Sequence, residues 1–402
     1  MSDPEQLTEQ LSERGLERRL KRHLKKEPQH FLAVCSPGFE PYLAAEAARL
    51  PNVDSVETVT GGVSFRGPLD TVYHANLWLR TAHRVLLRID DFLAQSYPML
   101  FDHARKVPWE LYLGFEQTVN ISVSAKVSRL RHRRKIADTV HGGMLARLEP
   151  LGLHPNLDPS APLDIFARLF QDRCTLSLNT SGVHLHKRGY RLATAKAPLR
   201  ETLAAGLLRA ADAEVYDVIL DPMCGSGTFL IEAALLARQC PPGGQRDFAF
   251  EAMPSFQQSK WERLQREAYE QARPQSPVTL IGFDLNAGAI DAATGNATRA
   301  EVSGDLTLQQ GDALQLDYNR FKMSHQRGLI ICNPPYGARI GGRDEAAQLY
   351  SEFVRQLQKT ARGWDVAVVT PDVGWMEGLE PTLTLPFRNG GIQVSLVQSE
   401  IS

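Results

Sequence analysis

The chain has 402 residues, 43% hydrophobic and 23% charged, with a formal net charge of −1. This is the make-up of a soluble globular protein, with room at roughly 100–200 residues each for two or three domains. Its five cysteines, Cys35, Cys174, Cys224, Cys240 and Cys332, are odd in number, widely spaced and without a CxxC pair, which argues against a disulfide framework or structural zinc and for a reducing compartment. No apolar run nears the roughly 18 residues of a membrane span and the charged N-terminus lacks a signal-peptide core, so a cytoplasmic location with no membrane partner is expected.

Residues 1–29 form a polar extension in which Arg18, Arg19, Lys21, Arg22, Lys25 and Lys26 cluster; a basic lead-in and a merely solvated helix fit it equally. From His30 the texture alternates. "HFLAVCSPG" reads as a strand, "FEPYLAAEAARL" as a helix, "VDSVETVTGGVSFRG" as a hairpin-like pair, and "LDTVYHANLWLRTAHRVLLRIDDF" as a helix running into a strand. That βαββαβ order predicts a ferredoxin-like α+β domain over 30–95. Residues 96–185 follow with a helix in "YPMLFDHARKVPW", a strand in "QTVNISVSAKV", a helix around 132–148 and strands in "LDIFARLF" and "CTLSLNTSG".

Residues 186–402 look different again. Helix "PLRETLAAGLLRAAD" precedes strand "VYDVILDP", and strands "VTLIGFDL", "LTLQQGD", "GLIICNPP" and "DVAVVTP" then alternate with helical stretches. Short apolar strands separated by helices predict a mostly parallel sheet covered on both faces, an α/β Rossmann-like layout. The final "NGGIQVSLVQSEI" suits an edge strand reached by a turn, and residues 241–277 form an insertion between the first two strands.

The glycine turn in "VILDPMCGSGTFLIEAALLAR" carries the first chemistry. Gly225 and Gly227 allow a tight turn and close approach of a ligand, and the helix start at Thr228 presents free N–H groups, so a nucleotide-like or carboxylate-bearing ligand is expected there. A dinucleotide is the alternative, but Leu230 stands where GxGxxG wants its third glycine. Asp284 ends the next strand, where it would face the same crevice and could accept both hydroxyls of a ribose; Asp312 closes the third, where it could bond an adenine amino group. One acid alone is more often a cap or turn former, whereas acids at consecutive strand ends describe a site.

The fourth strand ends in Asn333-Pro334-Pro335-Tyr336. Asn333 supplies a side-chain carbonyl, Pro334 a backbone carbonyl without a competing N–H, Pro335 stiffness and Tyr336 a π face. Two acceptors beside a ring suit a planar group bearing NH2: they take its hydrogens, draw its lone pair out of conjugation and aim it at an electrophile. A plain rigid turn is the bland alternative.

"DPMCGSGTFLIEAA", "GFDLNAGAI", "GDAL" and "NPPYG", in this order, resemble the S-adenosylmethionine-dependent amino-methyltransferases with an NPPY signature. With "CTLSLNTSGVHLHKRGYR" and "APLRETLAAGLL" added, the chain resembles the bacterial 23S rRNA guanine-N2 methyltransferase family (RlmL-like), whose N-terminal half carries an RNA-binding THUMP domain. The resemblance spans roughly residues 30–402 and is most specific over 174–340; the THUMP likeness, assigned to 96–185, rests mainly on pattern. It implies S-adenosylmethionine as cofactor, held along Asp221, Cys224, Gly225, Gly227, Thr228, Asp284, Asp312 and Asn333, with Asn333, Pro334, Pro335 and Tyr336 as the catalytic corner. The implied substrate is a guanine of 23S rRNA or of a large-subunit assembly intermediate. A tRNA guanine-N2 methyltransferase and an adenine-N6 nucleic-acid methyltransferase are the alternatives. Longer members continue into a second methyltransferase domain, so only the first activity is carried over.

Reaching an amine inside folded RNA requires the nucleotide to leave its stack. "SAKVSRLRHRRKIADTV" places Lys126, Arg129, Arg131, Arg133, Arg134 and Lys135 within ten positions, more than solubility needs, and they are the expected phosphate contacts; Arg188, Arg191 and Lys196 are expected to line a groove. His184 and His186, two apart on one face of a strand, lack partners at ligand spacing, so no metal site is expected. Cys332 should pack in the core rather than react.

Overall fold

The structure, a computed structural model, describes residues 13–23, 28–115, 117–191, 199–336 and 342–402; Lys25, Lys26 and Lys196 lie outside them. In chain order the regular elements are α1 (Glu13–His23), β1 (Gln29–Val34), α2 (Glu40–Ala47), β2 (Val56–Val59), β3 (Gly62–Gly67), α3 (Thr71–Trp78), β4 (Arg84–Leu93), α4 (Tyr97–Lys106), β5 (Thr118–Lys126) and α5 (Arg133–Leu148). There follow β6 (Asn156–Leu157), β7 (Leu163–Phe170), β8 (Arg173–Asn179), α6 (Glu201–Ala210), β9 (Val218–Asp221), α7 (Thr228–Ala237), α8 (Gln258–Gln271), β10 (Thr279–Asp284) and α9 (Ala287–Arg299). The last are β11 (Leu306–Gln310), β12 (Gly328–Cys332), α10 (Arg343–Thr360), β13 (Trp364–Thr370), β14 (Leu383–Asn389) and β15 (Ile392–Glu400). They form two units: residues 1–34, 44–185 and 247–264, and residues 35–43, 186–246 and 265–402.

The first unit holds an eight-stranded sheet in the order β2-β3-β1-β4-β8-β7-β5-β6. The βαββαβ run from β1 to β4 is the expected ferredoxin-like arrangement, and β4 pairs antiparallel with β8, so the strands of 30–95 and of 96–185 share one sheet. Alternation decides which face is buried. Phe31 and Ala33 on β1, Val85 and Leu87 on β4, Leu176 and Leu178 on β8, and Ile165 and Ala167 on β7 all point to the core. Helices α4 and α5 cross closely because Gly143 has no side chain: a Cβ there would come within 2.7 Å of the Ala104 Cβ. Ile136, Val140 and Met144 then bury one stripe of α5.

The second unit holds a seven-stranded sheet in the order β11-β10-β9-β12-β13-β15-β14. The five strands from β9 to β13 are parallel, and β15 runs antiparallel between β13 and β14. Strands β9 and β12 are buried at every position, as expected for a sheet with helices on both faces. On one face Tyr350, Phe353, Val354 and Leu357 of α10 pack over Val218, Leu220, Ile330, Val366 and Val368.

Two readings of the sequence need correction. The edge strand is β14, not the C-terminal β15: the Asn389-Gly390-Gly391 turn joins a hairpin whose first arm, "LTLPFRN", lies outside, where Pro386 lacks an N–H without harming a central ladder. His184 and His186 are not on a strand. β8 ends at Asn179, whose Nδ2 donates to the Gly182 carbonyl at 2.8 Å while Gly182 turns at φ +70°, and His184 instead meets Arg84 Nη2 at Nε2, 2.8 Å away.

Candidate active site

Strand order reverses across β9, between β10 on one side and β12 on the other, and ligands of open α/β sheets lie beyond the strand carboxyl ends at such a reversal. Asp221, Asp284 and Asn333 end or follow β9, β10 and β12 there, and Asp312 lies two residues past β11. Backbone ties hold these ends together. The Gly311 N–H donates to the Asp284 carbonyl at 3.0 Å and the Cys224 N–H to the Phe283 carbonyl at 2.8 Å.

In the glycine loop, Gly225 and Gly227 are left-handed, at φ +55° and +79°. A Cβ on Gly225 would meet open space, whereas one on Gly227 would come 3.1 Å from the Ala293 Cβ, so Gly227 serves helix packing and Gly225 leaves its surface to a ligand. Asp284 aims its carboxylate back at this loop: Oδ2 accepts from the Gly225 N–H and Oδ1 from the Asn286 N–H, both at 2.9 Å. A carboxylate has about four lone-pair positions, so capacity remains for hydroxyls. Asp312 accepts from the Leu314 N–H at 2.9 Å and from Gln315 Nε2 at 3.0 Å, and is half-buried.

Asp221 and Cys224 turn inward instead. Asp221 is 2% exposed and accepts from the Met223 N–H at 3.1 Å; burial, with Asp284 nearby, pushes its carboxyl well above the usual range. Burial likewise raises the Cys224 and Cys332 thiols, which makes both inert packing groups. Thr228, the first residue of α7, accepts at Oγ1 from Arg191 Nη1, 3.2 Å away.

Asn333 is distinctive. Its Oδ1 is buried and has no hydrogen-bond partner among the described residues. Tyr336 is buried too, and its hydroxyl accepts from Asn389 Nδ2 at 2.8 Å, so the end of the edge strand β14 anchors the far side of the Asn-Pro-Pro-Tyr turn. A ring this covered must be uncovered before a base can stack on it.

Three further groups, beyond those expected from the sequence, belong to the site's surroundings. Asn296, fully buried on α9, donates from Nδ2 to the Ser226 carbonyl at 3.0 Å and so braces the glycine loop; nothing local marks it. Leu285, 69% exposed directly after Asp284, offers apolar surface beside the crevice, and a large apolar residue after a strand-end acid is a signal that could have been read. The third is an ionic cluster. Arg191 binds Glu201 Oε2 and the Leu199 carbonyl, each at 2.8 Å, while Glu232 lies 3.5 Å from Arg188 and accepts from the Tyr190 hydroxyl at 3.0 Å. Burial pushes the Glu201 carboxyl up to about 7 even with Arg191 beside it.

This cluster corrects an expectation. Arg188 and Arg191 are buried, with side chains only 3% and 8% exposed, and their charges meet Glu232 and Glu201, so neither is presented to RNA phosphates. The run on the first unit behaves otherwise: Lys126, Arg129, Arg131, Arg133, Arg134 and Lys135 are all exposed. Arg129 pairs with Asp172 at 3.4 Å and Lys135 sits 4.2 Å over the Tyr97 ring, which leaves Lys126, Arg131, Arg133 and Arg134 without a carboxylate partner among the described residues.

Two family descriptions match the chain, an RMKL-like methyltransferase domain over residues 188–376 and an RlmL ferredoxin-like domain over 30–86. A candidate RNA methyltransferase of Synechocystis is 32% identical over 92% of this chain and 96% of its own length. The chain belongs to the RlmL-like methyltransferase family. A ribosomal RNA large subunit methyltransferase K/L of Syntrophotalea carbinolica is 34% identical over 93% of this chain, which spans 54% of that longer relative. A solved candidate methyltransferase in complex with S-adenosylhomocysteine superposes with a TM-score of 0.84 at 27% identity, covering 94% of this chain and 99% of that one. A Listeria monocytogenes protein described as a predicted N6-adenine-specific DNA methylase gives 0.83 at 29% identity, over 94% and 98%.

The residues present fit S-adenosylmethionine: a bare left-handed Gly225, a carboxylate at the β10 end, and on Asn333 an acceptor unsatisfied among the described residues. Among the described residues no three His, Cys, Asp or Glu side chains gather as metal ligands, and no helix is long and apolar enough to cross a membrane.

Proposed function

We propose that the chain methylates the exocyclic N2 of a guanine in 23S rRNA, as free RNA or within a large-subunit assembly intermediate. The observation that carries the amine is Asn333 Oδ1, a buried acceptor with no partner among the described residues. Such an orphan costs about 1–3 kcal/mol until a donor arrives, and an exocyclic NH2 brings the donor. The Pro334 carbonyl supplies the second acceptor. Together they hold both amine hydrogens and turn the nitrogen lone pair toward the methyl group, so catalysis is mainly positioning. S-adenosylmethionine, when bound, supplies a methyl group already activated on a positively charged sulfur.

The chain's own part is to place the two reactants. Gly225 and the α7 start would hold the amino-acid end of the cofactor, Asp284 the ribose hydroxyls, Asp312 the adenine amine and Leu285 the ring. Asp221 and Cys224 act on the cofactor indirectly, by shaping the loop. After transfer the nitrogen releases a proton to water, and no strong general base is required. Relatives named for ribosomal RNA and the exposed basic run support RNA as substrate, while guanine N2 rests on the family resemblance. Mass spectrometry of nucleosides from cells with and without the protein tests this. Loss of N2-methylguanosine from 23S rRNA is expected; loss only from tRNA, or loss of N6-methyladenosine, would replace the substrate.

A further inference from the structure

The eight-stranded sheet has a second face, opposite the one that carries its core. Register brings Arg66, His30, Arg88, Ser177, Phe166 and Ser122 into one row across β3, β1, β4, β8, β7 and β5. At about 4.8 Å between strands this row is about 24 Å long. A parallel row on the same face carries Leu93, Arg173, Phe170 and Lys126. Arg66, His30, Arg168 and Lys126 are exposed, Phe170 is 40% exposed, and Phe166 and Arg88 are half-buried.

Two features of this face point to one kind of occupant. Phe166 and Phe170 lie four residues apart on β7 with Arg168 between them, and each ring has a guanidinium beside it: Arg84 at 4.8 Å from Phe166 and Arg168 at 5.5 Å from Phe170. The charge is positive as well. Arg66, Arg88 and Arg168 have no carboxylate in ion-pair range among the described residues, whereas Asp91 is taken by Arg173 and Asp164 by Asn120 and Ser122. Burial first, then Arg88 and Arg66, hold His30 below its usual range against the opposing charges of Glu57 and Asp91. Aromatic rings interleaved with unpaired cations on an open sheet face take unstacked bases and their phosphates, and Lys126 joins the face to the basic run that follows it.

We propose that this sheet face binds a single-stranded stretch of the RNA substrate, with bases on Phe166 and Phe170 and phosphates on Arg66, Arg88, Arg168 and Lys126. The rings stand about 13 Å apart along the strand, so at least two nucleotides are engaged. This rests on the RNA reading above and adds the form of RNA that is held and where.

The test uses the full chain and a fluorescently labelled 12-nucleotide RNA, read by anisotropy at fixed salt, beside a duplex of the same sequence. The wild type should bind the single strand more tightly than the duplex. Phe170→Ala and Arg168→Ala, at exposed positions that leave the fold intact, should each weaken single-strand binding about tenfold and duplex binding little. A Phe170→Trp variant should bind normally, with its fluorescence quenched by RNA. Unchanged affinity in the Phe170→Ala/Arg168→Ala double variant, tighter binding of duplex, or no RNA binding by the wild type would each overturn the proposal. S-adenosylhomocysteine affinity, measured in the same variants, should not move. RNA methylation that persists in the double variant with normal RNA affinity would sink this face alone and leave the methyltransferase reading standing.

Discussion

The two sheets of this protein put their chemistry in different places. In the second unit the central strands β9 and β12 are buried on both faces, and Asp284, Asp312 and Asn333 stand at or just past the carboxyl ends of the strands. In the first unit the second sheet face, among the described residues, leaves Arg66, His30, Arg168, Phe170 and Lys126 exposed, so its accessible groups are alternate side chains drawn from several strands. Ends suit a compact cofactor and one reacting atom. A face suits a long polymer held by repeated weak contacts.

Exposed and buried cations separate the two regions most sharply. Arg188→Ala leaves Glu232 buried without its cation, with one oxygen already lacking a hydrogen-bond partner among the described residues, and should cost about 3 kcal/mol of stability in urea unfolding. An Arg188→Ala protein that unfolds like the wild type but loses RNA affinity would return this arginine to the RNA-binding set. Asp284→Ala removes one charge-assisted bond to the glycine loop and one to the Asn286 N–H together with the ribose acceptor, and should weaken S-adenosylhomocysteine binding at least tenfold by calorimetry, with single-stranded RNA affinity unaffected.

Glu201 gives a smaller effect with a defined sign. Its carboxyl is raised to about 7 in the fold, above its unfolded value, so its contribution is fully present below the unfolded value and is lost as pH rises through about 7. The stability advantage of the wild type over Glu201→Gln should therefore shrink between about pH 5 and pH 7, and midpoints of urea unfolding across that range will check it. Smallest for stability are Arg133→Ala and Arg134→Ala, at exposed positions, which should shift unfolding by less than about 0.5 kcal/mol. Each should still lower the slope of log affinity for RNA against log salt by about 1.

The contrast also explains what could be read from the residues alone. Strand ends were legible because each is a short contiguous motif, in which a glycine pair, an acid after an apolar run or Asn-Pro-Pro-Tyr carries its meaning locally. The ferredoxin-like order and the parallel sheet were legible for the same reason, since periodicity and turns are local. The open face was not, because Arg66, Arg88 and Phe166 belong to strands that only register brings side by side. Arg188 and Arg191 were misread because a cation in sequence does not reveal the carboxylate folded against it: Glu232 lies 44 residues from Arg188, 232 − 188. The edge strand β14 does have a local signal in Asn389-Gly390-Gly391, since a hairpin turn implies a strand on each side of it.

Asn333 is where the account is most exposed. Tritiated methyl transfer to 23S rRNA by the wild type and by Asn333→Ala, with S-adenosylhomocysteine affinity measured on both, tests it directly. The expected result is a loss of transfer of about 100-fold with cofactor affinity changed less than threefold, since removing one positioned acceptor acts on the reacting nitrogen and not on the donor's binding. Full transfer by Asn333→Ala would contradict the acceptor corner and with it the proposed chemistry.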